Sequence, residues 1–217
     1  MNIEQARFNM IEQQIRTWDV LDQDVLNLLM IVKRESFVPA AYSALAFVDT
    51  EIPLPGGQTM LQPKLEARML QEAAVKKHES VLEIGAGSGY MAALLGRCAR
   101  QVTSVEIEPV LQTMARDNLA AVGIDNVTIV DGDGAHGWAA QAPYDVIVIS
   151  ASLPAIPQAF FEQVKVGGRI IAVVGEAPVM TAQCITRITT LGFTTVSLFE
   201  TAIKPLRNVP PPSQFKF

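Results

Sequence analysis

One ten-residue stretch, Val81-Leu82-Glu83-Ile84-Gly85-Ala86-Gly87-Ser88-Gly89-Tyr90, gathers much of what could do chemistry in this chain. An apolar, strand-like run carries one acid, Glu83, and opens through alternating glycines into a helix. Glycine lets the backbone turn sharply and lets a ligand approach without meeting a Cβ. A carboxylate inside an apolar strand is costly unless it has a donor, so Glu83 calls for a partner from neighbouring backbone or from a cationic ligand. A second acid, Glu106, ends the next apolar run 23 residues later, at a strand edge where a ribose diol can be gripped. A third group, Asp131-Gly132-Asp133-Gly134, follows the run after that. Asp133 can accept from an adenine amino group there, while Asp131 reads equally as a turn former.

Two ligand classes compete for such a turn. A nicotinamide dinucleotide wants Gly-x-Gly-x-x-Gly with a later acid. Here the third glycine comes one place early, at Gly89, and Tyr90 stands where that motif needs its last small residue. An adenosyl ligand with a positively charged methionine sulfur fits the pattern better.

The elements that must position these groups can be read from periodicity. Residues 81–84, 102–107, 127–130, 146–149 and 170–174 form five nearly all-apolar runs, as strands covered on both faces must be. Helical stretches at 90–99, 109–122 and 155–164 separate most of them, which argues a doubly wound, mostly parallel α/β sheet with right-handed crossovers. Residues 183–189 and 194–200 are joined by only four residues, so an antiparallel pair should close one edge and bring the sheet to seven strands. Before the sheet, Phe8, Ile11 and Ile15, then Val25, Leu28, Leu29 and Val32, recur at helical steps. They predict two amphipathic helices with Asn2 and Asp22 as N-caps. From 34 to 63 the pattern is lost among Pro39, Pro53, Pro55, Gly56, Gly57 and Pro63, and a further helix should run from Pro63 to about Val75. The expected organisation is one domain over 1–217, with a helical cap and lid over 1–63 and the sheet core over 64–217.

Composition narrows the function. Among 217 residues, 17 Lys+Arg against 22 Asp+Glu give a formal charge of −5, so no basic field exists to hold a phosphate backbone. No apolar run approaches the ~20 residues needed to span a bilayer, and the first residues, Met1-Asn2-Ile3-Glu4-Gln5, lack the regions of a signal peptide. With two cysteines and no disulfide framework, a soluble cytoplasmic protein is expected. His78 and His136 have no carboxylate or cysteine at ligand spacing, and Cys98 and Cys184 form no CxxC pair, so no metal is expected. Ser88 and Ser150 lack a triad-like histidine. Trp138 reads as adenine wall or core alike, and Met10, Met69, Met91 and Met114 read as core.

At these residues the chain resembles a class I S-adenosyl-L-methionine-dependent methyltransferase, and more narrowly the protein-L-isoaspartate O-methyltransferase family. The narrower resemblance rests on Arg34-Glu35-Ser36-Phe37-Val38-Pro39, Ala41-Tyr42, Gly57-Gln58-Thr59-Met60-Leu61-Gln62-Pro63, the glycine turn, Gly132-Asp133-Gly134 with Gly137, and Gly167-Gly168-Arg169. It implies an S-adenosyl-L-methionine donor, S-adenosyl-L-homocysteine as product, and as acceptor the free carboxylate of an L-isoaspartyl residue in a damaged protein. It also implies a donor site of Thr59, Met60, Glu83, Gly85, Ala86, Gly87, Tyr90, Glu106, Ile107, Gly132, Asp133 and Gly134, with Thr59 and position 61 over the reacting methyl. The expected partners are isoaspartyl proteins or peptides, with neither nucleic acid nor membrane, on a monomer or weak dimer. The Pro- and Gly-punctuated stretch 51–63 suits a lid.

One departure bears on the acceptor. The family normally reads Gln-Thr-Ile-Ser, with a hydroxyl two places beyond the threonine, where this chain has Leu61. Either Thr59 or backbone N–H groups replace that contact, or the acceptor is less polar, or activity on isoaspartate is weak. A methyltransferase for a small molecule and a non-catalytic donor-binding protein are the rival readings. The stretch 206–217, with Pro210-Pro211-Pro212, also differs from the family's usual ending.

Overall fold

A computed structural model describes residues 2–209. Seven strands form one sheet in the order β5-β4-β3-β6-β7-β8-β9. They are β3 (Ser80–Ile84), β4 (Gln101–Glu106), β5 (Val127–Asp131), β6 (Tyr144–Leu153), β7 (Val164–Glu176), β8 (Val179–Arg187) and β9 (Phe193–Thr201). The first five run parallel, and β8 and β9 fold back antiparallel on β7. Every residue of β3 is buried, as the central strand of a sheet covered on both faces requires. Its side chains alternate between two cores: Val81 joins the helices of one face, Leu82 and Ile84 the Phe160, Ile147 and Ile170 cluster of the other.

The crossover helices are α4 (Tyr90–Cys98), α5 (Pro109–Ala121) and α6 (Gln158–Gln163), with α3 (Pro63–Ala73) leading into the sheet. α3 and α5 both begin with proline in the first turn, where its missing N–H costs nothing. The chain leaves β3 for β4 and β5 on one side, then returns to β6 on the other. That reversal opens a crevice at the carboxyl ends of β3, β4 and β6, where open α/β sheets bind ligands.

Ahead of the sheet lie α1 (Ile3–Met10), prolonged by a wide turn to Ile15 and a tight one to Trp18, and α2 (Gln23–Ile31). Both expected N-caps form: Asn2 Oδ1 accepts from Gln5 N at 3.3 Å and Asp22 Oδ1 from Asp24 N at 2.9 Å. The buried face of the first helix differs from the periodicity reading. Phe8 is exposed, while Arg7, paired with Glu4 and Glu35, lies buried beside Met10. A guanidinium whose charge is met on two sides can occupy an interior position that hydropathy assigns to an apolar ring. Between these helices and α3 a two-residue hairpin pairs β1 (Ile52–Pro53) with β2 (Thr59–Met60).

Three boundaries also differ. The helix read over 155–164 is confined to α6, because Pro157 sits at its N-cap and cannot be interior. β7 therefore starts at Val164, and a tight turn at Ala177-Pro178 joins it to β8, with Gly175 at φ +124° allowing the close approach of Val179 that a Cβ would block. Strand β4 ends at Glu106, leaving Ile107 outside the ladder. Pro210-Pro211-Pro212 falls outside the described residues.

Candidate active site

The glycine turn is built as its composition demands. Gly85, Gly87 and Gly89 have φ of +89°, +54° and +85°, a left-handed region that side chains penalise. Gly85 N donates to Val105 O at 2.9 Å, tying the turn to β4. A Cβ on Gly89 would sit 3.2 Å from the Ala115 backbone oxygen, so the third glycine also lets α4 pass close to α5.

Two adjoining cavities open at this turn. The outer cleft, about 590 Å³, is lined by Gln58, Ile84, Glu106, Ile107, Leu111, Asp133, Gly134 and Ala151, with Pro205, Leu206 and Arg207 on the opposite wall. The inner chamber, about 300 Å³, is lined by Leu54, Met60, Leu61, Glu66, Glu83, Ala86, Ser88, Tyr90 and Met91. Thr59, Gly85, Gly87 and Ser150 line both.

Each acid is held differently. Glu106 is buried at the rim of the outer cleft; its Oε2 accepts from Gly87 N at 2.9 Å and its Oε1 from Glu108 N at 3.0 Å. It therefore clamps the glycine turn while lining the cleft. Glu83 is fully buried and takes its donors from neither backbone nor cation. Ser104 Oγ donates to its Oε2 at 2.6 Å and Ser150 Oγ to its Oε1 at 3.4 Å. Burial outweighs both hydroxyls and pushes its pKa up to about 8. Asp133 lines the cleft; its Oδ1 accepts from Ala135 N at 2.9 Å. Asp131 points elsewhere and pairs with Arg116 on the surface.

Of the twelve expected donor residues, only Gly132 lines neither cavity. Trp138 covers it, its ring lying where a Cβ at Gly132 would be, and packs into the core of that sheet face rather than on the cleft. His78 and His136 are exposed. Among the described residues no group of three or more His, Cys, Asp or Glu is placed to hold a metal ion.

The sequence reading passed over four contributors. Ser104 faces Glu83 directly across the β3–β4 register, and Ser150 follows the residue paired with Ile84; a hydroxyl in an apolar strand beside an acid was the available signal. Glu66 and Arg34 are buried beneath the chamber. Arg34 pairs with Glu66 and donates from Nη2 to Leu61 O at 2.6 Å, so the Arg-x-x-Phe-Val-Pro arginine fixes the backbone just after β2. Burial outweighs Arg34 and lifts the Glu66 pKa to about 7.

A strap closes the outer cleft. Residues 203–206 run beside the end of β6, with Ser152 N donating to Lys204 O at 2.9 Å and Leu206 N to Ser152 O at 2.8 Å. Arg207 then pairs with Glu108 at 2.8 Å and donates to Gly56 O at 2.8 Å, and Asn208 Nδ2 donates to Asp133 Oδ2 at 2.8 Å. Lys204 Nζ holds Gly57 O at 2.6 Å. The hairpin tip, Pro55–Gly57, fits here because Gly56, at φ +69°, has no Cβ to strike Glu108, which would be 2.8 Å away.

Comparison with known proteins agrees with this geometry. The family model for protein-L-isoaspartate(D-aspartate) O-methyltransferase matches residues 5–201. A protein-L-isoaspartate O-methyltransferase of Koribacter versatilis is 43% identical over 169 residues, 78% of this chain and 76% of that protein. One of Brucella anthropi is 39% identical over 193 residues, 88% of each. Among solved structures, a protein-L-isoaspartate O-methyltransferase superposes with a TM-score of 0.78 at 27% identity, over 92% of this chain and 65% of that one. A Plasmodium falciparum structure described as a complex with S-adenosyl-L-homocysteine shares the fold, with a TM-score of 0.76 at 19% identity over 93% of this chain and 98% of that one. The chain belongs to the protein-L-isoaspartate(D-aspartate) O-methyltransferase family.

Proposed function

We propose that this protein transfers a methyl group from S-adenosyl-L-methionine to the free carboxylate of L-isoaspartyl residues in damaged proteins. The observation that carries this reading is the joining of two cavities at Thr59, Gly85, Gly87 and Ser150. The adenosyl half of the donor belongs in the outer cleft, with Glu106 on the ribose and Asp133 and Gly134 beside the adenine. The methionyl half belongs in the inner chamber, against Ala86, Glu83 and Tyr90. Bound there, the donor supplies an electrophilic methyl on a positive sulfur.

The protein's own part is position and dryness. A carboxyl acceptor of ordinary pKa near about 4 is already ionised at neutral pH, so no side chain need serve as general base. Thr59 and the Leu61 position, on the lid strand over the shared wall, hold the acceptor oxygen in line with the methyl at roughly 3 to 3.5 Å. Met60 and Leu61, both buried, keep water out. With no hydroxyl at Leu61, the polar contacts to the carboxylate fall to Thr59 and to lid backbone.

The test is labelled S-adenosyl-L-methionine offered with an isoaspartyl peptide beside its aspartyl twin. Selective labelling of the isoaspartyl peptide is expected; equal background labelling of both would remove the assignment. A second reading, a small and less polar acceptor, is favoured by the Leu61 side chain lining the chamber. Leu61→Ser separates the two: a gain on isoaspartyl peptide supports repair, and no gain with the fold intact favours the small acceptor.

A further inference from the structure

At the carboxyl end of β5 the chain carries a chemical hazard. Its only two Asp-Gly pairs, Asp131-Gly132 and Asp133-Gly134, stand there in tandem, and no Asn-Gly occurs. An aspartyl side chain followed by glycine is open to attack by the next backbone nitrogen, because with no Cβ that nitrogen is unhindered and its backbone turns freely. Nor can an added side chain remove the hazard. A Cβ at Gly134 would lie 2.7 Å from Ile84 Cγ2 in the sheet core, and one at Gly132 would lie 2.7 Å from the Trp138 ring.

The fold restrains the two pairs unequally. Asp131 closes β5: Gly132 N donates to Glu106 O at 3.0 Å, continuing the β4–β5 ladder, and the carboxylate pairs with Arg116. A nitrogen held in that ladder cannot turn toward the side chain before it, and attack needs the two atoms in near contact and aligned. Asp133 lies past the strand and is exposed. Its Oδ1 accepts from Ala135 N at 2.9 Å, which folds the carboxyl back over its own following amides, and Gly134 N has no hydrogen-bond acceptor among the described residues. The other oxygen is held from outside: Asn208 Nδ2, on the strap, donates to Oδ2 at 2.8 Å.

We propose that Asp133-Gly134 is a site of spontaneous isoaspartate formation in this protein, and that Asn208 restrains it. Gly134 N loses its proton and bonds to Asp133 Cγ, one carboxyl oxygen leaves as water, and a five-membered imide closes. Water then adds to the former backbone carbonyl of Asp133, and the bond from that carbon to Gly134 N breaks. The chain now runs through Cγ, one methylene longer, with the α-carboxylate free and the mass unchanged. The site thus forms the same group that the acceptor reading above assigns to substrates. Donor occupancy adds protection, a part that rests on the donor reading: an adenine amino group on Oδ2 takes over from Asn208.

The experiment ages the full chain for weeks at neutral pH and body temperature, then maps its peptides by electron-transfer fragmentation, which separates isoaspartyl from aspartyl at equal mass. The arms are the wild type, the wild type saturated with S-adenosyl-L-homocysteine, Asn208→Ala, and a synthetic peptide of residues 127–137 as the unfolded reference. In the peptide both pairs should convert comparably; in the folded wild type conversion should be confined to Asp133, with Asp131 unchanged. Asn208→Ala should convert at Asp133 about 3-fold faster or more, the weight of one hydrogen bond to a charged group. Conversion at Asp131 equal to that at Asp133 in the folded wild type overturns the proposal. So does conversion at Asp133 no faster than at Asp125, which glycine does not follow, and so does an unchanged rate in Asn208→Ala. Bound S-adenosyl-L-homocysteine should slow conversion at Asp133. Binding by calorimetry without slowing, or no binding at all, would instead remove the donor reading at Asp133, and the site comparison and Asn208→Ala would still decide the proposal.

Discussion

The outer cleft and the inner chamber are built around the same residue type and use it in opposite ways. Glu106 sits at a rim, meets two backbone N–H groups at about hydrogen-bond length, and serves as a clamp on the glycine turn. Glu66 and Glu83 sit in the interior, where burial raises the pKa of both, to about 7 and about 8. The strand end supplies two backbone amides to Glu106, whereas the chamber offers Glu66 one guanidinium and Glu83 two hydroxyls, which burial outweighs. Acids of one cleft thus divide into a clamp held by backbone amides and an interior pair whose pKa values desolvation raises.

The heaviest blow to this contrast should come from Arg34→Met, which strands Glu66 without its countercharge. Removing one partner of a buried pair costs about 3–5 kcal/mol, to be read as a lower urea midpoint. The double variant Arg34→Met with Glu66→Leu should recover more than half of that loss. Next, Glu106→Ala should weaken donor binding by about 1–3 kcal/mol, the usual worth of hydrogen bonds to a charged group. Unchanged affinity in calorimetry would place the sugar elsewhere.

A smaller effect concerns pH. Glu66 and Glu83, at about 7 and about 8 when folded against an ordinary 4.5, hold protons in the native state that the unfolded chain has released. Their contribution is complete below about 4.5 and is lost as pH rises through 7 and 8. Each can contribute a slope of at most about 1.4 kcal/mol per pH unit, so the melting temperature of the ligand-free protein should fall from pH 6 to 8.5. Glu83→Gln should flatten that fall. Smallest of all, Arg207→Ala removes a half-exposed ion pair and should cost no more than about 1 kcal/mol of stability by denaturant titration.

Much of the outer cleft was legible in the amino-acid order, because its chemistry lies on elements with strong local signals. The apolar run that carries Glu83 and the one that ends in Glu106 mark strands, the glycines mark the left-handed turn, and the sheet's reversal brings their ends together. In the chamber, Met60, Glu83, Ala86 and Tyr90 were legible, but the buried ion pair of Arg34 and Glu66 was not. Glu66 reads as a solvated acid on an amphipathic helix until its spacing to Met69 and Leu70 places it on the buried face. Arg34 and Arg7 look like surface charges, since nothing local announces Glu66 or Glu35 as partners. The contacts of Arg207 and Asn208 join positions 75 or more residues apart, beyond the reach of any periodicity. The β7–β8 hairpin escaped for a different reason: its glycine, Gly175, lies inside the strand pattern two places before Ala177-Pro178 rather than at the centre of the turn.

The strap at residues 203–208 lies outside the sheet, yet it walls the outer cleft and is fastened to both the hairpin tip and Asp133. Proteolytic nicking just after Thr201 would therefore leave every strand of the sheet in place while unroofing the nucleoside end of the cavity. Such a clipped species would look native by circular dichroism and be defective in ligand capture, which makes far-ultraviolet spectra a poor certificate of a working preparation.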